Sequence, residues 1–393
     1  MCRSRNVAVM GFYGQGNAGD EALLSSVVMG LKSSEAVQNI TVLSSYPEQT
    51  MREHKVSAVH NFFPATLKEL VTRLLGRNRA NFIRSLLVAL KCNTLIIGGG
   101  GLFFDKPDEN YHLIRLLKII WLFEMLGKEV FMVGVSIDKL NAQGSIKNLQ
   151  RTLNHKNMKA VISRDERSTS IFKNNSIQKN IFYSTEDIAF CLTPSTDTRI
   201  NDDFLYSYIE KNKNNIGLSL CGYRLSSNPR YRNEIRVAVS RLLSLGHNVV
   251  IIPMSVGSDN DREGIVSSLT GLDNFEAIKC VNEDLTVQQN ISLLGMMDCV
   301  IAERLHASIL CIIANTPVIG VSYASKVLEM YKSINREQWQ KDSELLDQEW
   351  LLERVEYSLN NKVELKNELI CIAKEKSDLA TESFVILSGL LTK

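Results

Sequence analysis

Short continuous runs of Val, Ile and Leu, each closing on a glycine or polar turn and followed by an amphipathic helical stretch, recur along this chain and constrain its fold more than any other feature. A strand that is apolar throughout has no wet face, so such runs imply a parallel sheet covered by helices on both sides. In the first half the runs are Asn6–Met10, Ile40–Leu43, Thr94–Ile97, Val130–Val133 and Ala160–Ser163, with Glu21–Leu31 the clearest helical stretch. The pattern restarts after Pro194 with Ile216–Leu220, Asn248–Ile252, Ala277–Cys280, Cys299–Ala302 and Val318–Val321. Arg232–Leu245, Val287–Met296 and Leu305–Ile313 read as helices between them, and the polar stretches Thr193–Asp203 and Lys211–Asn215 mark a boundary. The fold class is α/β: two doubly wound Rossmann-like domains facing a cleft, at 1–190 and 214–335, with C-terminal helices at 345–393. Ligands of open parallel sheets bind beyond the carboxyl ends of the strands, so the residues just after each strand are the ones to inspect.

Length agrees with two domains, since 393 residues of which 45% are hydrophobic can bury two cores without disulfides or structural metals. A formal net charge of +2 gives no case for nucleic acid as a partner. Cys2, Cys92, Cys191, Cys221, Cys280, Cys299, Cys311 and Cys371 form no C-x-x-C pair, which leaves zinc and dithiol chemistry without support. Met-Cys-Arg-Ser-Arg leads straight into a strand without the apolar core of a signal peptide. The most apolar helical run, Leu113–Leu126, is short and carries Arg115, Lys118 and Glu124, so it does not read as a membrane span. The expectation is a cytoplasmic protein, soluble or peripheral at the inner face of the plasma membrane. Asn61–Lys91 interleaves basic and apolar residues, which suits either a basic amphipathic hairpin touching anionic lipid or a helix pair covering the sheet.

Two glycine-rich turns stand out. Gly11–Asp20 carries glycines at 11, 14, 16 and 19 between a strand and a helix, where the backbone can bend sharply and approach a ligand. Its Gly14-x-Gly16-x-x-Gly19 spacing matches the dinucleotide fingerprint by letter. The acidic residue expected at the end of the second strand is missing, since Leu43-Ser44-Ser45 stands there. Gly98–Gly101 follows Leu95-Ile96-Ile97, and four glycines after a buried strand suggest close approach of a ligand, with Asp105, Tyr111 and His112 just beyond.

In order along the chain, Gly14–Leu24, Gly98–Asp105, Ser163-Arg164-Asp165-Glu166-Arg167-Ser168, Asp187-Ile188-Ala189-Phe190, Glu303-Arg304-Leu305-His306-Ala307 and Gly320–Val327 together resemble the polysaccharide pyruvyl transferase family. The resemblance runs from about residue 7 to 330. It implies a GT-B-like fold and transfer of pyruvate from phosphoenolpyruvate, as a cyclic ketal, onto a sugar of a capsule, exopolysaccharide or other surface polymer. Phosphoenolpyruvate is a co-substrate, and neither cofactor nor metal is implied; the acceptor is a sugar or a lipid-linked oligosaccharide. Glu303 departs from a usually neutral position, and Ala324-Ser325 replaces a more usual Asp-Pro.

A donor bearing phosphate and carboxylate needs fixed cations, and Arg164, Arg304 and Lys326 each follow a strand. With Leu305 they form the expected donor set. His306 is the expected proton source and Asp187 the base, with Asp20 able to act as base or as a helix cap. The expected acceptor set is Tyr13, Asn17, Asp20, Gly100, Asp105 and His112. Two other readings keep this fold: a nucleotide-sugar glycosyltransferase, for which Met254–Asp259 offers no clear ribose ligand, and a noncatalytic sugar-binding subunit, which the charged residues argue against.

Overall fold

A computed structural model describes residues 4–63, 67–76, 79–105, 111–195, 203–257 and 260–392, so most of the expected boundary stretch and residues 258 and 259 lie outside the described residues. The chain divides into two compact units. The first holds residues 1–15, 20–191 and 377–393, and the second holds 16–19 and 192–376.

In the first unit, β1 (Arg5–Met10), β2 (Val37–Ser44), β3 (Ser57–His60), β4 (Thr94–Phe103), β5 (Glu129–Ile137), β6 (Met158–Ser163) and β7 (Phe182–Ser184) form one sheet in the order β3-β2-β1-β4-β5-β6-β7. Every pairing is parallel. Val7, Ala8, Val9 and Met10 of β1 are buried, as a strand covered on both faces requires. The covering helices include α1 (Ala18–Lys32), α2 (Pro47–His54), α3 (Leu67–Leu75), α4 (Arg79–Lys91), α5 (Tyr111–Met125), α6 (Gln143–Leu153) and α7 (Glu166–Asn174). From β1 the chain builds outward to β2 and β3, then returns to build β4 on the other side. The strand order therefore reverses between β1 and β4, where open sheets bind ligands.

The second unit repeats the plan with β8 (Asn215–Ser219), β9 (Asn248–Ile251), β10 (Lys279–Cys280), β11 (Cys299–Ala302), β12 (Val318–Ser322) and β13 (Gln340–Asp342), ordered β10-β9-β8-β11-β12-β13 and all parallel. Its reversal lies between β8 and β11. The helices α8 (Gly222–Ser227), α9 (Pro229–Ser244), α10 (Asp261–Leu269), α11 (Val287–Gly295), α12 (Leu305–Ile313), α13 (Ser325–Ser333) and α14 (Gln348–Asn360) complete it. The last helix, α15 (Lys362–Leu391), belongs to the second unit up to Lys376 and to the first from Ser377. Among the described residues no helix is long and apolar enough to cross a membrane.

The four-glycine tract is not a loop. Gly98–Gly101 continue β4, with φ of 64° at Gly99 and 91° at Gly100. A Cβ on Gly98 would lie 2.5 Å from the Tyr13 hydroxyl, and one on Gly99 would lie 2.7 Å from the Cβ of Leu23. Close packing of α1 and Tyr13 on β4 therefore accounts for two of these glycines without a ligand.

Glu124, on α5, has both carboxylate oxygens buried without a hydrogen-bond partner, and its residue is only 1% exposed. Burial pushes its carboxyl up to about 8, against the pull of Arg151. The native state thus holds the proton through a range in which the unfolded chain, near its ordinary 4.5, has released it. Stability is present below that unfolded value and is lost as pH rises toward 8. Glu124→Gln is expected to add on the order of 1–3 kcal/mol above pH 8 and to lose its advantage below about pH 4.5. Melting temperature against pH for the two proteins checks this; parallel curves would refute it.

Candidate functional site

In the second unit the carboxyl ends of β8, β9, β11 and β12 gather a set of charged side chains around one buried carboxylate, Asp261. The Arg304 guanidinium grips it with two bonds, Nε to Oδ2 at 2.8 Å and Nη2 to Oδ1 at 2.7 Å. Asp261 also accepts from the backbone amides of Gly222 and Ser255, each at 3.0 Å. One carboxylate thus fixes the turn after β8, the loop after β9 and the arginine after β11. Burial by itself would lower the Arg304 pKa, but the hydrogen bonds and charge of Asp261 outweigh it and hold the guanidinium above its usual value. Arg304 caps α12, so the first amides of that helix open beside its side chain.

Glu303, fully buried, faces the same turn. Its Oε2 accepts from the Cys221 amide at 2.8 Å and from the Tyr231 hydroxyl at 3.0 Å, while Arg224 Nε stands 3.5 Å from Oε1. Burial pushes its carboxyl up to about 7, although the Cys221 amide, Tyr231 and both arginines pull it down. Arg224 lies over the Tyr323 ring at 5.0 Å and bonds Ser343 at 2.7 Å. Burial pushes the Tyr323 phenol up to about 12, so it stays a hydroxyl donor at neutral pH.

Of the expected donor set, Arg304, Leu305 and Lys326 fall in this unit, as does the expected proton source His306. Leu305 has a buried side chain, and only its amide at the start of α12 is placed for a ligand. Lys326 is exposed on the first turn of α13. His306 packs against Gly19, where a Cβ would come within 2.4 Å of Nδ1. That glycine belongs to the short 16–19 segment grouped with the second unit through Ala18 N to Met254 O and Val256 N to Gly16 O, both 2.8 Å.

Arg164 lies in the first unit and pairs with Asp187 at 2.9 Å, both buried. The other Asp187 oxygen accepts from the Ala189 amide at 3.0 Å. Asp187, the expected base, thereby orients Arg164.

The acceptor set divides similarly. Tyr13 is 1% exposed and its hydroxyl donates to the Gly98 carbonyl, so this side chain is packing; burial holds the phenol well above its ordinary pKa. Asp105 accepts from the amides of Asn141 and Ala142, at 2.8 Å for the latter, and pins the loop before α6. In both, the hydrogen bonds just named serve the fold. Asn17 Oδ1 accepts from the Gly19 amide at 2.9 Å at the opening of α1. Asp20 and Gly100 do come together: a Cβ on Gly100 would lie 3.6 Å from Asp20 Oδ1. His112 sits half-buried between Phe12 and Phe104, its ring centroid 4.5 Å from the one and 5.5 Å from the other. The Tyr111 side chain lies outside what is described.

One further cluster joins groups of metal-ligating type. Glu21, Glu53 and His54 bring ligand atoms within 4.8 Å of one another, yet Glu21 already accepts from the Gly14 amide at 2.7 Å and from His54 at 2.8 Å.

The sequence reading missed Arg224, Asp261 and Tyr323. Cys221-Gly222-Tyr223-Arg224 directly follows an expected strand, so the strand-end rule contained the signal for Arg224. Asp261 had none, because its partner is 43 residues away.

Glu303→Ala strips the Cys221 amide and Tyr231 hydroxyl of their acceptor in a buried turn and is expected to cost about 3–5 kcal/mol. Glu303→Gln keeps an acceptor oxygen and should cost under about 1.5 kcal/mol. Urea unfolding of the two variants checks this, and equal losses would mean that charge, rather than acceptor geometry, holds the turn.

A family model for polysaccharide pyruvyl transferase matches residues 17–325. No curated protein matches the sequence. Among solved structures, UDP-GlcNAc 2-epimerase from Neisseria meningitidis bound to UDP-GlcNAc superposes with a TM-score of 0.65 at 12% identity, over 98% of this chain and 99% of that one. The Methanocaldococcus jannaschii UDP-GlcNAc 2-epimerase gives 0.61 at 11% identity, over 90% and 93%. Anabaena Alr3699/HepE in complex with UDP-glucose gives 0.59 at 11% identity, over 98% and 100%. At such identities the likeness shows the fold, a GT-B-like pair of Rossmann-like units, and nothing of the chemistry.

Proposed function

The chain belongs to the polysaccharide pyruvyl transferase family, and from that premise we propose that it moves pyruvate from phosphoenolpyruvate onto a sugar of a surface polysaccharide as a cyclic ketal, releasing phosphate. The observation that carries this reading is Arg304, a half-buried guanidinium aimed by a two-pronged grip on Asp261 at the opening of α12. Nε and Nη2 are committed to Asp261, so Nη1 and the first amides of α12 are the groups that meet an anionic donor. Lys326 supplies a further cation for its phosphate and carboxylate. In this reading residues 214–335 form the donor side and 1–190 the acceptor side.

One sugar hydroxyl oxygen bonds to C2 of phosphoenolpyruvate as C3 takes a proton. The second hydroxyl then bonds to C2, the C2–O bond to phosphorus breaks, and inorganic phosphate leaves with the electron pair. One hydroxyl proton is replaced on C3 by way of the enzyme and the other leaves with phosphate or solvent. His306, seated against Gly19, is the proton source for C3. Asp20, beside Gly100, takes the part of base for the sugar hydroxyl.

Phosphate release from phosphoenolpyruvate against a panel of sugar acceptors tests the reaction. Phosphoenolpyruvate without metal should raise the melting temperature; a shift with a uridine diphosphate sugar and none with phosphoenolpyruvate would sink the reading. Arg304→Ala should weaken the donor about tenfold or more, and Arg304→Lys should recover little, because a point charge cannot replace a fork. Asp261→Asn should raise the KM for phosphoenolpyruvate more than it lowers kcat, since it releases the fork without removing it. His306→Ala should leave donor binding in place and lower turnover by roughly two to four orders of magnitude. Near-normal turnover in His306→Gln would pass proton transfer to another group.

The same reading places a lipid-linked acceptor at the inner membrane. Val71, Leu75, Ile83, Leu87 and Leu90 are exposed on α3 and α4 beside the exposed Arg79 and Arg84, while Arg77 and the Arg73 side chain lie outside what is described. Salt-sensitive sedimentation with anionic vesicles, lost when Arg79 and Arg84 are neutralised, is the expected result; binding unchanged by that neutralisation would remove the idea.

A further inference from the structure

Where the strand order of the first unit reverses, beyond the carboxyl ends of β1, β2 and β4, a cavity of about 140 Å³ opens. At about 30 Å³ per water this is room for about five waters, the scale of one hexose ring. Gly11, Gln15, Ser45, Asn61, His112 and Arg115 supply its polar and backbone lining.

Three features of that lining point to a ligand. His112 Nε2 and Asn61 Oδ1 are buried, and among the described residues neither has a hydrogen-bond partner. Unpaired buried polar atoms are costly, and two of them on one cavity ask for a partner that fills it. Burial lowers the His112 pKa, with Arg115 acting in the same direction and the Leu102 backbone opposing, so the imidazole is neutral and can accept from a hydroxyl. Among the described residues Arg115 Nη2 reaches only the carbonyls of Asn61 and Phe63, at 3.4 and 3.3 Å, and no carboxylate there pairs with this arginine. This differs from Arg164 and Arg304, whose charges are each met by an aspartate. The Arg115 charge is left for an anion.

Two hydroxyl acceptors and one uncompensated guanidinium on a ring-sized cavity fit a polyhydroxylated ring that bears one anionic group. We propose that this cavity is the subsite for one phosphorylated hexose of the acceptor, its hydroxyls donating to His112 Nε2 and Asn61 Oδ1 and its phosphate meeting Arg115. The assignment rests on the transferase reading for the word acceptor, although the chemistry of the cavity stands by itself. It also gives the expected acceptor residue His112 a definite atom and role, and adds Asn61 and Arg115 to it.

The test is direct binding to the full chain without phosphoenolpyruvate, by calorimetry or ligand-observed NMR, using a panel of hexose 1-phosphates beside the free hexoses and inorganic phosphate. Saturable binding of at least one hexose 1-phosphate, tighter than both the free hexose and phosphate, is expected. His112→Phe keeps a ring between Phe12 and Phe104 but removes Nε2, and should weaken that binding roughly three- to tenfold. Asn61→Leu should act similarly. Arg115→Met should cost about tenfold for the phosphorylated sugar and little for the free one. Because Arg115 also braces the 61–63 backbone, melting temperatures accompany each variant, and His112→Phe carries the test if Arg115→Met does not fold. No saturable sugar binding by the folded protein, or unchanged affinity in His112→Phe, overturns the proposal. Inorganic phosphate binding as tightly as the sugar phosphates would reduce the cavity to an anion site and overturn it too. If hexose phosphates bind here and phosphoenolpyruvate is never consumed, the transferase reading falls and the cavity stands. If pyruvyl transfer proceeds with an acceptor KM indifferent to all three variants, the reverse holds.

Discussion

Asp261 is the constraint on which the second unit's site depends. A carboxylate removed from water loses more solvation than one attraction returns, so a buried ion pair is weak evidence of stabilisation. Here the pair is held in two parallel bonds and the remaining carboxylate capacity is taken by the Gly222 and Ser255 amides. The arrangement links three strand-end segments through one group, and its yield is the direction of the Arg304 guanidinium. Packing supports it from behind. A Cβ on Gly222 would fall 2.7 Å from the Asp261 carbonyl oxygen, and one on Gly264 would fall 2.4 Å from the Gly222 carbonyl carbon. These two glycines let α8 and α10 approach closely enough for Asp261 to reach its partners.

What the sequence disclosed follows from where apolar periodicity is strong. Strands in the middle of each sheet, such as β1, β4 and β11, are buried on both faces, so they stand out as unbroken apolar runs. Edge strands have less to bury: β3 is Ser-Ala-Val-His and β13 is Gln-Lys-Asp, and neither forms such a run. The glycine tract shows a different failure. Read by composition it is a ligand loop, because glycine signals close approach without naming what approaches. In the structure Tyr13 and Leu23 do so at two of its four positions, while Gly100 lies near Asp20 and Gly101 near Ser136.

Site residues were legible as chemical types and illegible as partners. Arg164 and Asp187 stand out separately in the sequence, each in its own motif, and invite separate roles as cation and base. They are one unit in space, 23 residues apart in the chain. Asp105 and Tyr13 mark the same limit, since a carboxylate and a phenol near a glycine turn suit a sugar equally well before their hydrogen bonds are known. Glu303 runs the other way. As a letter it is a departure from a family pattern, and as a side chain it is the acceptor that closes the turn carrying Arg224.

The pairing of arginines with resident aspartates bears on how an anionic donor would be recognised in the proposed reaction. Arg164 with Asp187, and Arg304 with Asp261, are each close to neutral as pairs, so neither contributes much long-range field. What each presents is a set of N–H donors in a fixed plane, useful within hydrogen-bond reach and weak beyond it. Recognition by such groups depends on shape at contact more than on the charge seen from solvent, in keeping with a chain whose formal net charge is only +2. Lys326, by contrast, is exposed on a flexible stem, and in the proposed reaction it would meet an anion as a point charge. An arginine with no aspartate beside it among the described residues, as at Arg115, keeps its full charge, and in the proposed reading that difference would separate a group that orients a ligand from one that neutralises it.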